Sequence, residues 1–531
     1  MERQVALALA VVAVVVAGSV LARRIRVPVP VVLVLLGLAY AVLPGPNLEL
    51  DPDVVLAVVI PPLLYAAAIE ASLFDIRAHL RQVASLSVGL VLATAFAVGA
   101  VLPLVLPGLP FAAALALGAA VAPPDPIAAL GVARRAGLPP RLITLVEGEG
   151  LLNDATALTA YRVAVSAAVG GGFSMLGASG RFAFAAAGGV AAGLAVAWVA
   201  RQLYRRLDDP LLENVVSLAT PFAAYLTAEE LHASGVLAVV IAGLWVSHSS
   251  PVVVSAATRL QTLAVWRLIA LMLEGVVFLL IGQQVPRVLG GLDETTPGRT
   301  LLACVLTVAV VLLVRPLWLL LVEQLPGRLL GGSGLRLGWR EVVALSWAGT
   351  RGVITLAAAF ALPATTADGQ PFPHRDLLLL CAYLVVLVTL VGQGLTLGPV
   401  LTMLGLQEDH AGRLRARGEA RVAAAQAALR QLDELADAED ADGDVLDRLR
   451  RDAERRVRRR KERLRLIDRV AEEGDAAVQP AVAVADLRRQ LLEAERRELL
   501  RRRDAGELRD ADLRTLQREL DHEERLLNRP G

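Results

Sequence analysis

The sequence predicts an all-α, polytopic membrane protein of about thirteen transmembrane helices in inverted repeats, with helices five and twelve broken, followed by a helical cytoplasmic tail. Three observations predict it. The 531 residues are 55% hydrophobic with a mean hydropathy of +0.57, more apolar than a soluble domain that must face water with polar groups. The apolar residues come in long runs up to about Leu404, separated by short polar loops, and then become sparse. Two of those runs carry matched interruptions of a kind that a continuous helix does not tolerate.

A helix needs about 20 apolar residues to cross the hydrocarbon core. By that length the runs lie near 4–22, 27–43, 53–73, 83–106, 111–133, 142–168, 181–204, 211–229, 231–247, 262–285, 300–322, 341–362 and 376–404. The first reads as a true membrane helix rather than a cleaved signal. Glu2 spoils a positive leader, and Arg23, Arg24 and Arg26 follow the apolar run instead of preceding it. The eighth and ninth are short and parted by Glu229, Glu230 and His232. With the N-terminus outside, predicted inner loops hold most loop arginines, among them Arg77, Arg81, Arg134, Arg135, Arg141, Arg201, Arg205, Arg206, Arg259, Arg328, Arg336 and Arg340. The outer loops hold only Arg181, Arg287, Arg299 and Arg375. That bias places the C-terminal tail in the cytoplasm, and dropping a helix midway would reverse it in every later loop.

Charge divides the chain at the end of the last run. After Gly405 lie 29 of the 53 basic and 30 of the 52 acidic residues, so residues 1–405 form a membrane domain and 406–531 a charged helical tail. The net charge of +1 offers nothing to a nucleic-acid partner. Cys304 and Cys381 both fall in apolar runs and read as small buried hydrophobes with no disulfide or metal role.

Ionisable residues inside membrane runs are costly and mark a pathway or a partner. Here the unexpected ones are Glu70, Asp125, Glu147, Glu149, Asp154, Glu274, Arg162, Arg315 and Arg351. Arg162 and Glu274 are as readily explained by snorkelling to the headgroups. Asp154, Arg315 and Arg351 lie too deep for that. The fifth run contains Ala122-Pro123-Pro124-Asp125-Pro126, and the twelfth Ala348-Gly349-Thr350-Arg351-Gly352. Irregular backbone at membrane depth survives only where protein or a watery cavity satisfies it. Runs five and twelve match if 1–6 and 8–13 are two halves joined by the seventh, and paired breaks in matching halves point to a transporter's substrate site. The sixth run carries Glu147-Gly148-Glu149-Gly150-Leu151-Leu152-Asn153-Asp154. Helical periodicity puts Glu147, Gly150 and Asp154 on one face, with Glu149 and Asn153 on a neighbouring one. A carboxylate at that depth can hold a proton or a cation but not both, and such competition suffices for exchange.

At these residues the chain resembles the monovalent cation:proton antiporter family 1, over about residues 5–405. The resemblance is carried by Pro61-Pro62-Leu63-Leu64-Tyr65 ahead of Glu70, the Asp125-Pro126 break, Glu149 through Asp154, and Leu231-His232-Ala233-Ser234-Gly235-Val236-Leu237. Phe278-Leu279-Leu280-Ile281-Gly282 and Trp347 through Gly352 complete it. It implies that Asp154 alternately binds the proton and the transported monovalent cation. Asn153 then matches the Asn associated with one-for-one, electroneutral exchange. Glu70 resembles a third-helix Glu near the cation, Glu149 and Arg315 a buried ion pair tying the sixth helix to the eleventh, and Arg351 the Arg of the twelfth-helix break. It further implies a homodimer in which a six-helix core moves against a dimerisation domain.

Two positions depart from that family's pattern: Pro124 stands where many members have Thr, and Gly150 where they have Ser. Both changes remove a hydroxyl that could ligate a small hard cation. Asp125 and freed carbonyls such as that of Pro123 could substitute, since oxygen donors suit such ions. Sodium or lithium exchange for protons is the leading expectation, with potassium or broad selectivity as the alternative. A membrane sensor signalling through its tail is a third reading, opposed by the retention of Glu70, Asn153, Asp154, Arg315 and Arg351. An uncoupled ion channel is a fourth.

His232 reads as a hydrogen-bonded helix start, and His79 and His248 as solvated loop residues. In the tail, Leu487, Leu491, Leu492, Leu499, Leu500 and Leu508 recur at helical spacing, while Gly443, Gly474 and Pro480 punctuate it into two or three amphipathic helices. The run Arg455–Lys461 suits either anionic lipid at the inner leaflet or a solvated helix face. No nucleotide fingerprint or paired metal-ligand cluster occurs in the sequence, so neither an enzymatic domain nor a cofactor is expected.

Overall fold

The computed structural model describes residues 2–25, 27–42, 54–135, 137–170, 175–286, 296–324, 337–406, 410–438 and 443–473, with isolated positions between 491 and 520. Every expected apolar run is largely helical over its described residues, the fifth and twelfth with a break inside them. The helices are α1 (Glu2–Ile25), α2 (Val29–Ala41), α3 (Val55–Glu70), α4 (Leu80–Val105), α5a (Phe111–Val121) with α5b (Pro126–Arg135), and α6 (Pro140–Val169). Then follow α7 (Met175–Tyr204), α8 (Pro210–Glu230), α9 (Gly235–Val253), α10 (Ala256–Gln283), α11 (Pro297–Gln324), α12a (Trp339–Trp347) with α12b (Val353–Phe360), and α13 (Arg375–Leu404). Seven of the described helices, α1, α4, α7, α9, α10, α11 and α13, are each long and apolar enough to cross a membrane. Helices α6 and α8 have the length but carry charged residues along it.

Local chemistry sets the helix ends. Asp209 caps α8, accepting from the Leu211 N–H at 2.8 Å, and Pro210 opens the first turn. Ser234 and Ser255 cap α9 and α10 through the N–H groups of Leu237 and Thr258, at 3.3 and 3.2 Å. His232, expected at a helix start, instead lies in the tight α8–α9 turn with φ +56°, two residues before the Ser234 cap, and donates its backbone N–H to the Glu229 carbonyl at 2.9 Å. Widened π turns interrupt α3, α4 and α13 at Val55–Val59, Ser85–Leu90 and Val388–Gln393. Such bulges recur at functional positions.

The membrane helices fall into two packing groups. Helix α5a sits among α4, α6, α12b and α13, with α11 against α4 and α13. The second group pairs α2 with α10, α9 with α3, α7 and α8, and α1 with α2 and α10. The α2–α10 crossing depends on glycine: a Cβ on Gly37 would strike the Leu279 carbonyl, and one on Gly282 the Val34 carbonyl. Cys304 on α11 and Cys381 on α13 are buried free thiols with their sulfurs 3.6 Å apart.

The chain divides into two compact units, Met1–Gln407 and Glu408–Gly531. In the second, α14 (His410–Ala438) and α15 (Gly443–Glu473) pack on each other, joined by Arg450–Asp433 at 3.1 Å and Arg415–Asp468 at 3.5 Å. Within the Arg455–Lys461 run of α15, Val457 is buried, Arg460 is half-buried and the other residues are exposed. The rest of the expected tail pattern, at Gly474, Pro480, Leu487, Leu492, Leu500 and Leu508, lies outside the described residues, as do Arg26, Arg287, Arg328 and Arg336.

Candidate functional site

Three prolines in four positions stop α5a, because they remove backbone donors and their rings clash with the preceding turn. Gly349 and Gly352 bracket the matching stop between α12a and α12b. The two breaks lie against each other. The Asp125 N–H donates to the Thr350 carbonyl at 2.6 Å, and the Thr350 hydroxyl donates to the Asp125 carbonyl at 2.9 Å. Gly352 is required there, since a Cβ at that position would collide with the Asp125 carboxylate.

A helix stopped inside protein leaves carbonyls without donors and a partial negative charge at its end. Arg351 answers both. Its Nε donates to the Val121 carbonyl at 3.1 Å and a terminal nitrogen to Ala122 at 3.3 Å, while the other terminal nitrogen reaches the Gly349 carbonyl. Its own N–H is held by the Thr389 hydroxyl at 3.0 Å, which the π turn of α13 presents. Asn153 donates its amide to the Pro124 carbonyl at 2.8 Å. Among the described hydrogen bonds, none ends on the carbonyl of Pro123.

Glu149 and Arg315 form a two-pronged ion pair, with one N···O distance at 2.7 Å and both side chains at most 3% exposed. Arg315 Nε also donates to the Leu345 carbonyl at 2.8 Å, so the pair ties α6 to α11 and to the end of α12a. Bidentate geometry with a further hydrogen bond is what makes a buried pair tenable.

Beside this crossing lies a cavity of about 370 Å³, walled by α3, α5b, α6, α10 and α12b. Asp154 faces it at 5% exposure, together with Pro123, Asp125, Glu274 and Thr355. The charges nearer solvent are Glu70, Arg134, Glu147 and Arg267, with Arg267 70% exposed. Glu70 accepts from Arg267 at 2.8 Å and lies 3.9 Å from Arg134, which itself pairs with Glu147. Glu70 is thus brought into the same cavity as Asp154, but guanidinium groups hold its carboxylate at the mouth.

Among the described residues, the buried oxygens without a hydrogen-bond partner include Asn153 Oδ1, on the residue before Asp154, and Thr355 Oγ1 on the cavity wall. Asp154, Pro123 and Thr355 line the cavity and offer oxygens of the kind that suits a hard monovalent cation, while Asn153 lies behind that lining. Thr355 gave no signal in sequence, because one hydroxyl in an apolar run usually bonds back to its own helix. Arg134 was legible only as a loop charge, and Arg267, inside the tenth run, was not singled out. Of the two charges open to a snorkelling explanation, Arg162 pairs with Glu229 at 2.9 Å in a second cavity, and Glu274 lines the first.

The family model described as sodium/hydrogen exchanger, transmembrane, matches residues 10–403. An uncharacterised sodium/proton exchanger of Mycobacterium tuberculosis is 38% identical over 400 residues, covering 74% of this chain and 72% of the relative. The sodium, potassium, lithium and rubidium/proton antiporter of Bacillus subtilis is 33% identical over 67% of this chain and 55% of its own length. Among solved structures, the sodium proton antiporter MjNhaP1 of Methanocaldococcus jannaschii has the same fold, with a TM-score of 0.60 at 20% identity. The match spans 77% of this chain and 100% of that one. The crossed breaks, the Asn153–Asp154 pair and a family match across the membrane unit together show that this chain belongs to the transmembrane sodium/hydrogen exchangers of the monovalent cation:proton antiporter family 1.

Proposed function

We propose that this chain is a secondary active antiporter exchanging sodium or lithium for protons across the bacterial plasma membrane, in the service of pH and sodium homeostasis. The observation that carries the proposal is the buried Asp154, facing the cavity, beside an Asn153 whose amide is anchored and whose Oδ1 has no donor. A cation entering past the Glu70–Arg267 mouth exchanges part of its water for the Asp154 carboxylate, Thr355 Oγ1 and the Pro123 carbonyl. Asp125 adds negative charge to the same wall. The proton on Asp154 must leave for the cation to bind, and must return for it to be released. One carboxylate neutralised by one cation or one proton carries the same charge in either direction, which supports electroneutral exchange. The Glu149–Arg315 pair and Arg351 keep the crossing assembled while the site changes its side of access.

The same reading takes the protein as a homodimer with its N-terminus outside and its tail in the cytoplasm. The arginine bias of the loops supports that orientation. The exposed basic face of α15 is available to anionic lipid. No enzymatic step is proposed. Potassium or broad monovalent selectivity is the second reading, favoured by the missing hydroxyls at Pro124 and Gly150 and by a Bacillus relative named for four cations.

The test uses inside-acidified vesicles containing the purified protein, challenged with sodium, lithium or potassium while the pH gradient is followed. Collapse by sodium or lithium in wild type but not in Asp154→Asn supports the proposal. Collapse by potassium at similar concentrations moves the assignment to the second reading. No response from folded, inserted protein leaves a sensor that signals through its tail.

A further inference from the structure

Glu274 is a cavity carboxylate to which none of the motifs above assigns a role. It stands on α10 seven residues after Arg267, so the two share one face of that helix, with Ala270 and Leu271 between them on the cavity wall. Seven residues of helix place Glu274 roughly 10 Å deeper than the mouth. No described hydrogen bond or ion pair engages its carboxylate. Arg267 is committed to Glu70 at 2.8 Å, and Arg134 to Glu147 and Glu70. Asp125, which lines the same cavity, carries charge of the same sign.

A carboxylate without a counter-charge at this depth is costly, and a cation or proton from solution relieves the cost. Helix α10 packs mainly on α1, α2, α3 and α8, whereas Asp154 and Asp125 belong to the group around α5a. Glu274 therefore lies across the cavity from Asp154, on helices of the other packing group.

We propose that Glu274 is a second cation- and proton-accepting residue, which captures the monovalent cation on the wall opposite Asp154 before Asp154 takes it. This rests on the exchange reading above. Capture at Glu274 sets the cation concentration at which the site fills, and Asp154 remains the group that exchanges cation for proton.

The experiment has two arms. In vesicles, Glu274→Gln should raise the apparent KM for sodium by roughly ten-fold, the loss of one charge-assisted contact, with a much smaller change in maximal rate. Glu274→Asp should recover most of the affinity, and the pH profile of the Gln variant should be displaced from that of wild type. In the wild-type protein, a hydrophobic carbodiimide, which labels protonated carboxyls in apolar surroundings, should label Glu274, and sodium should protect it. Unchanged KM and pH profile in folded Glu274→Gln overturn the inference. So does carbodiimide labelling of Glu274 that sodium leaves unaltered, and the labelling decides if the Gln variant does not fold or does not transport. Wild-type vesicles that exchange no cation would instead overturn the exchange reading itself.

Discussion

Glu149 and Asp154 lie five residues apart on α6, yet the fold completes the first and leaves the second open. Five residues turn a helix by well over a quarter circle, so the two carboxylates face different surroundings. Glu149 meets Arg315 in a two-pronged pair whose guanidinium is further used by a backbone carbonyl. Asp154 meets a cavity, with an undonated amide oxygen beside it. Buried charge in this membrane unit thus has two uses. Where every polar atom is answered, the charge holds broken helices together. Where the answer is left out, it must come from solution.

The comparison is broken most severely at Asp154. Asp154→Asn should reduce cation-driven proton flux to that of empty vesicles while thermal unfolding of the purified protein stays near that of wild type. A variant that transports normally would remove Asp154 from the mechanism.

Glu149→Gln should do the reverse in kind. It strands the Arg315 charge, at a cost of about 3–5 kcal/mol, and shows as a lower unfolding temperature and a loss of monodisperse protein. Replacing both partners, Glu149→Leu with Arg315→Met, should be less damaging than either single change. Arg351→Gln should also destabilise, by about 1–3 kcal/mol for each half-helix carbonyl left without a donor, read by the same melting assay.

Thr355→Val keeps the shape of the wall and removes its hydroxyl. It should leave the protein folded and shift the sodium-to-potassium preference of the flux by a few-fold, roughly the worth of one net hydrogen bond. The smallest effect belongs to the tail. The exposed Arg450–Asp433 pair, at 3.1 Å, has the same chemistry as Glu149–Arg315 without the burial. Arg450→Ala should alter stability by less than about 1 kcal/mol, measured by thermal unfolding.

Much of the site was legible because its grammar is local. Three prolines around Asp125 cannot continue a helix, and the Gly349–Gly352 bracket is equally plain in sequence. Asp154 and Arg351 stood out because charge inside an apolar run has no inexpensive explanation. The helix positions followed from run length against membrane thickness, and each run was found largely helical over its described residues. Less legible was which charge answers which. Glu70 and Asp154 both read as cation-site carboxylates, but Arg267, 197 positions away in the chain, holds Glu70 at the mouth. Glu274 carried the same signal as Arg162, and both suited snorkelling. One proved to line the central cavity and the other to pair with Glu229.

The amino-acid order by itself determined the helices, their interruptions, the division between membrane unit and tail, and the set of residues worth suspecting. These follow from backbone donors, helix periodicity and the cost of charge in hydrocarbon, which act over a turn or two of chain. Tertiary structure alone decided that Arg351 serves the carbonyls of α5a, that Thr355 and Asn153 leave oxygens undonated, and that Glu274 lies across a cavity from Asp154. Those facts depend on which helix faces lie opposite one another. Burial can be anticipated residue by residue, but the satisfaction of a buried group is a property of its neighbours.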